Sequence, residues 1–236
     1  MEETRAYEEL RVGFTAAVSH ELRTPLARLL ALLESAALSG ADRDALLAQA
    51  REQVEEMSEL IDDVLFLSEL ESGREVVALG PTPALPVFEE VRDRLADSAE
   101  RADVRIRIDA DPDRVTLPLR RRMLQVVVEN LAVNAIRYAG PGATLTLSAQ
   151  PGVLEVADDG RGVEENELPR LFERFYRSDR ARASRGTGLG LAIVKHVVTS
   201  AGGEVHASGG AGRGLRIRCT FPAPNALTRS EPGRSS

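Results

Sequence analysis

The stretch Phe14–Leu33, FTAAVSHELRTPLARLLALL, decides how this chain is read. Apolar residues at Leu10, Phe14, Ala17, Leu22, Leu26, Leu29, Leu30 and Leu33 recur at three- and four-residue steps, the stripe of an amphipathic helix. His20 falls at the edge of that stripe, beside polar Ser19, Glu21 and Arg23, so a packed helix leaves its ring reachable by solvent. Pro25 deletes one backbone donor just past the histidine and predicts a kink there.

Working outward, the helix spans about 3–38 and ends at Ser39-Gly40, where Gly40 suits a left-handed stop. Asp42 caps a second helix with the stripe Leu46, Leu47, Ala50, Val54, Met57, Ile61, Val64 and Leu65, which ends near Glu71-Ser72-Gly73. Two helices cannot bury their shared apolar face alone. A second copy completes a four-helix bundle and predicts a homodimer; the other solution is cover by the rest of the chain.

The chain of 236 residues is 43% hydrophobic, enough for one large domain or two ordinary ones. It holds no apolar run of the ~18 residues that a membrane span needs, and MEETRAYEELR has no signal-peptide core. A lone cysteine, Cys219, forms no intrachain disulfide and is consistent with a reducing, cytoplasmic setting. A net charge of −7 argues against general nucleic-acid binding.

After the proline-rich boundary Gly80–Pro86 the pattern alternates. Helices are expected at 87–101, 120–138 and 188–200, and strands at 104–109, 114–117, 144–149, 153–157, 203–208 and 214–221. This is an α+β layer, a mixed sheet covered by helices on one face. The polar residues from Asn225 onward carry no pattern and read as a disordered tail.

Four clusters in this half carry chemistry. On the helix ending at Tyr138, Asn130, Asn134, Arg137 and Tyr138 share one side, offering amide oxygens to Mg²⁺, a guanidinium to phosphate and a ring to a base. Asp158-Asp-Gly-Arg-Gly162 follows a strand; its carboxylate suits an exocyclic amine, and Gly160 and Gly162 admit a flat ligand. Leu171–Arg177 places Phe172 and Phe175 to tether a closing loop, with Arg174 or Arg177 for phosphate, though a short packed helix fits the same residues. It leads into an arginine-rich stretch, 178–185, that reads as mobile. Arg185–Lys195 is a glycine-spaced loop opening a helix, whose free amides and dipole favour phosphate. Its Gly186, Gly188 and Gly190 fit neither the dinucleotide fingerprint nor the P-loop. His196, His206 and Cys219 read as structural.

In this order the clusters resemble those of the bacterial two-component sensor histidine kinases. His20–Pro25 is similar to the family's H box, Asn130–Tyr138 to its N box, Asp158–Gly162 to its G1 box, Phe172–Arg177 to its F box and Gly186–Gly190 to its G2 box. The resemblance implies a dimerisation and phosphotransfer hairpin (1–73), an α+β two-layer sandwich ATP-binding domain of the Bergerat type (74–224) and a tail (225–236). It implies a protein-histidine kinase using ATP and Mg²⁺, with His20 as phosphoacceptor, Asn130 as metal ligand, and Asn134, Arg137 and Arg177 near phosphate. Tyr138, Asp158, Gly160 and Gly162 would meet the base, and Gly186, Thr187, Gly188, Leu189 and Gly190 would shape the phosphate-side loop. Glu21 would stabilise charge on the imidazole, and Thr24 would orient water for hydrolysis of a partner's phospho-aspartate. Many members carry lysine where this chain has Arg137. Implied partners are a second copy and the receiver domain of a response regulator, with membrane attachment only through a sensor region preceding this chain. Other ATPases of the same nucleotide fold, of the gyrase, mismatch-repair or chaperone type, lack the histidine hairpin.

Overall fold

The computed structural model describes residues 2–38, 42–72, 77, 79–111, 115–178 and 186–222. The Gly40 stop, most of the arginine-rich stretch and the tail lie outside the described residues.

Helix α1 (Glu2–Ala36) runs through Pro25 without a break in its assignment, and α2 (Arg43–Glu71) returns beside it. Asp42 caps α2 as expected: its side chain accepts the Ala45 N–H at 3.1 Å. Pro25 has no N–H for the Glu21 carbonyl one turn back, and its ring is buried. Leu26, Leu30, Leu33, Leu47, Val54, Ile61 and Leu65 stay 44–58% exposed, a continuous apolar face along the hairpin. The C-terminal half of α2 differs, for Leu60, Leu67 and Leu70 are buried in the core of the second half of the chain.

The proline-rich boundary, inside the expected 74–224 span, carries regular structure of its own. Leu79–Pro83 forms a strand, β1, rather than a bare boundary; it pairs antiparallel with β3 (Thr116–Leu119), Thr82 facing Leu117. The two strands form a ribbon of their own, where Pro81, Pro83 and Pro118 are tolerated because every strand is an edge. Helix α3 (Ala84–Arg101) starts before the expected Val87, since Pro86 falls in its first turn, where no amide is required.

The main sheet has the order β2 (Arg105–Asp109), β4 (Thr144–Gln150), β5 (Val153–Asp158), β7 (Leu215–Thr220), β6 (Glu204–Gly209). The β4–β5, β5–β7 and β6–β7 pairs are antiparallel; β2 and β4 are parallel, as the crossover through α4 (Arg121–Tyr138) requires. Leu145, Leu147, Leu154, Val156, Ile217 and Cys219 point from alternate strand positions into the core beneath α3, α4 and α5 (Gly190–Ser200). The opposite face is polar, with Glu155 bridging Arg216 and Arg218. Burial pushes the Cys219 thiol up to about 12, so the lone cysteine is inert core.

Candidate functional site

Helix α4 is amphipathic in a divided way. Leu124, Val127, Val128, Leu131 and Ala135 are buried on the sheet side, while Asn130, Asn134, Arg137 and Tyr138 remain half-buried on the other. These four line a cavity of about 510 Å³, within the ~300–1,000 Å³ usual for small-molecule sites. Gly162, Arg177, Gly186, Thr187, Gly188 and Gly190 line it too, so three distant clusters converge on one space.

Local bonding sets how each group is presented. The Asn130 amide nitrogen donates to the Val126 carbonyl at 2.8 Å, which turns its Oδ1 toward Gly190 at the start of α5. A Cβ on Gly190 would stand 2.6 Å from that oxygen; glycine keeps it accessible. Gly186, at φ 140°, lies against Tyr138 and Arg137, where a Cβ would come within 2.7 Å of the phenol oxygen and 2.9 Å of Nη1. The Thr187 hydroxyl accepts the Leu189 N–H at 3.1 Å and donates to Asp63 at 2.7 Å. Leu189 itself is fully buried and pins the loop.

The loop before α5 is stitched to the phenylalanine segment. The Phe175 N–H donates to the Gly188 carbonyl at 3.0 Å, and Phe175 holds the left-handed φ of 60°, uncommon for an aromatic residue. Leu168–Arg170 is a single 3₁₀ turn, and Phe172 and Phe175 pack on the core from turns after it rather than from a helix.

Asp158 and Gly160 do not line the cavity. Asp158 ends β5, accepting the Gly160 N–H at 2.9 Å and bonded to the backbone of Leu215, a cavity residue. Burial pushes the Asp158 carboxyl above its ordinary value, against the pull of these two bonds. Such a group favours the fold while protonated, and that contribution is lost as pH rises through its folded value.

His20, Glu21 and Thr24 lie on α1, away from the cavity wall. The His20 side chain is 75% exposed, and its Nδ1 is 3.6 Å from Glu21 Oε1, close enough for attraction but long for a hydrogen bond. Nε2 is therefore the nitrogen left toward solvent.

Sequence reasoning missed the wall that α2 supplies. Glu59, Asp62 and Asp63 all face the cavity; Glu59 pairs with Arg137 at 3.4 Å and Asp63 accepts from Thr187. Their i, i+3, i+4 spacing is a readable acidic face, overshadowed by the apolar stripe of the same helix. Burial pushes the Asp63 carboxyl up, with Glu59 adding to the shift and Thr187 and Arg137 opposing it. Val163, Glu164, Glu167 and Leu215 also line the cavity from outside every motif, while Arg161, Leu171 and Tyr176 line it from motif positions without an expected role.

Residues 119–225 match a family model described as histidine kinase-, DNA gyrase B- and HSP90-like ATPase, and residues 10–73 match the His Kinase A (phospho-acceptor) domain. The phosphate regulon sensor protein PhoR of Pseudomonas aeruginosa is 37% identical over 235 residues, which is 95% of this chain and 52% of PhoR. The signal transduction histidine-protein kinase BaeS of Escherichia coli is 32% identical over 94% of this chain and 49% of its own length. The chain thus spans about half the length of the curated relatives it matches. Among solved structures, the Acinetobacter baumannii histidine kinase AdeS aligns at TM-score 0.71 and 25% identity, over 87% of this chain and 98% of that one. Histidine kinase ThkA, solved with the response regulator protein TrrA, shares the fold at TM-score 0.73 and 19% identity, over 95% of this chain and 66% of that one.

Proposed function

Because the chain belongs to the sensor histidine kinases, with their phospho-acceptor hairpin and their ATP-binding domain, we propose that it transfers the γ-phosphoryl group of ATP to His20 and then to an aspartate of a response-regulator receiver domain. The observation that carries this reading is the convergence of Asn130, Asn134, Arg137 and the Gly186–Gly190 loop on one cavity, in a chain whose hairpin exposes a histidine.

Nε2 of His20 attacks the γ-phosphorus in line. The Nε2–P bond forms as the bond to the β,γ-bridging oxygen breaks, and ADP leaves with the electron pair. Glu21, beside Nδ1, stabilises the positive charge that develops on the ring. Arg137 and the amides opening α5 take phosphate oxygens, while Asp158 accepts from the adenine amine. The residues fit a magnesium ion: the bond to Val126 leaves Asn130 Oδ1 as one hard ligand. No group of three or more His, Cys, Asp or Glu among the described residues could hold a metal by itself, so Asn130 would hold the ion together with the bound nucleotide. When bound, the ion neutralises charge on the leaving diphosphate.

Incubation with γ-labelled ATP and Mg²⁺ tests the reading directly: label that is labile in acid and stable in base marks a phosphohistidine. Its absence would refute the kinase reading. The Asp158 assignment makes a second prediction. Because only the carboxylate is the strong acceptor, ATP affinity falls as pH drops through the raised Asp158 value, above the 3.8 of an ordinary aspartate. Calorimetric titration should lose that dependence in Asp158→Asn.

Thr24 is exposed on α1 one turn beyond His20, which supports a role for its hydroxyl in orienting water on a bound phospho-receiver. Thr24→Ala is expected to keep autophosphorylation and lose dephosphorylation of the phosphorylated regulator; an unchanged dephosphorylation rate would remove the role. The exposed apolar face of the hairpin is covered by a second copy, which makes the four-helix bundle. Leu30→Glu should convert a dimer to a monomer in sedimentation, whereas a wild-type monomer would contradict the dimer.

A further inference from the structure

Glu59 and Asp63 stand where an anionic ligand of the cavity would be held. Glu59 pairs with Arg137, in the last turn of the N-box helix, and Asp63 takes the Thr187 hydroxyl from inside the glycine loop. Asp62 adds a third carboxylate to the same wall. A polyphosphate entering this space meets its binding groups already engaged by carboxylates, and meets like charge on the α2 side. Both partners of α2 are groups that the functional reading assigns to nucleotide.

The same helix is docked by contacts outside the cavity. Leu60, Leu67 and Leu70 are buried in the core shared with the ATP-binding half, and Arg174 is paired with Glu71. Neither Glu71 nor Arg174 lines the cavity. The acidic wall and the docking surface therefore belong to one rigid element, so the carboxylates leave the cavity only if α2 shifts.

We propose that Glu59 and Asp63 are a built-in competitor of nucleotide phosphate, so that ATP binding and the docking of α2 on the ATP-binding domain oppose each other. Linkage makes the effect reciprocal: whatever loosens the hairpin raises nucleotide affinity, and nucleotide loosens the hairpin. A signal that bends or turns the hairpin thereby acts on ATP occupancy without touching a nucleotide contact. The inference rests on the nucleotide reading of the cavity.

The test is the affinity of the whole chain for Mg²⁺ and a non-hydrolysable ATP analogue, measured by calorimetry. Glu59→Gln and Asp63→Ala are expected to bind about fivefold tighter or more, the low end of ordinary coupling between sites. Glu71→Gln separates competition from simple charge removal, since it weakens docking and leaves the charge lining the cavity intact. It is expected to bind roughly two- to fivefold tighter, the worth of one partly exposed ion pair. Tighter binding confined to Glu59→Gln and Asp63→Ala would overturn the proposal in favour of local electrostatics. Unchanged or weaker binding in all three would overturn it outright. A wild-type chain that binds no nucleotide would instead refute the reading of the cavity beneath it.

Discussion

His20→Gln is expected to leave no acid-labile label above background while the chain still binds ATP. Glutamine retains bulk and polarity but offers no nitrogen basic enough to attack phosphorus. The site is exposed on α1 and apart from the cavity, so nucleotide affinity should stay within about twofold of wild type, as for independent sites. Stability should move by no more than about 0.5 kcal/mol, as for other surface substitutions. Label that persists in this variant, measured after base and acid treatment, would mean that another residue accepts the phosphoryl group.

Asn130→Ala is expected to cut the autophosphorylation rate by on the order of 100-fold, the scale for losing one group that stabilises transition-state charge. The fold should survive, because the lost 2.8 Å bond to Val126 lies within one helix and alanine is the better helix former. The defect has a signature. Since Asn130 Oδ1 is assigned to the cation, wild type and variant should converge in nucleotide affinity when Mg²⁺ is removed. A gap that persists in its absence would assign Asn130 to the nucleotide itself.

Much of this molecule was legible in its sequence, for reasons that particular residues make plain. Asp42 announced the start of α2 because a carboxylate before an apolar stripe has one good use, and it caps Ala45. The face from Asn130 to Tyr138 was readable because helical spacing alone places its members together. What stayed hidden needed tertiary context. Gly80–Pro83 looked like a linker, because a strand on a two-stranded ribbon tolerates prolines that a sheet interior forbids. Asp158, expected to meet the base, is not among the lining residues; its bonds run to Gly160 and the Leu215 backbone, which the motif alone does not announce. The acidic wall on α2 was least legible, because nothing in Glu59 or Asp63 names Arg137 or Thr187 as the partner.

One feature of the sheet bears on how such a site comes into being during synthesis. Strands β5 and β7 are neighbours, yet the glycine turn after β5, the phenylalanine segment, the phosphate-side loop, α5 and β6 all lie between them in the chain. Among these segments β6 joins the sheet only through β7, so the entropy of a long loop is lost before the contacts of that last hairpin are gained. A nascent chain still lacking Leu215–Thr220 holds the N-box helix and the phosphate-side loop but lacks Leu215 from the cavity lining and the strand on which β6 pairs.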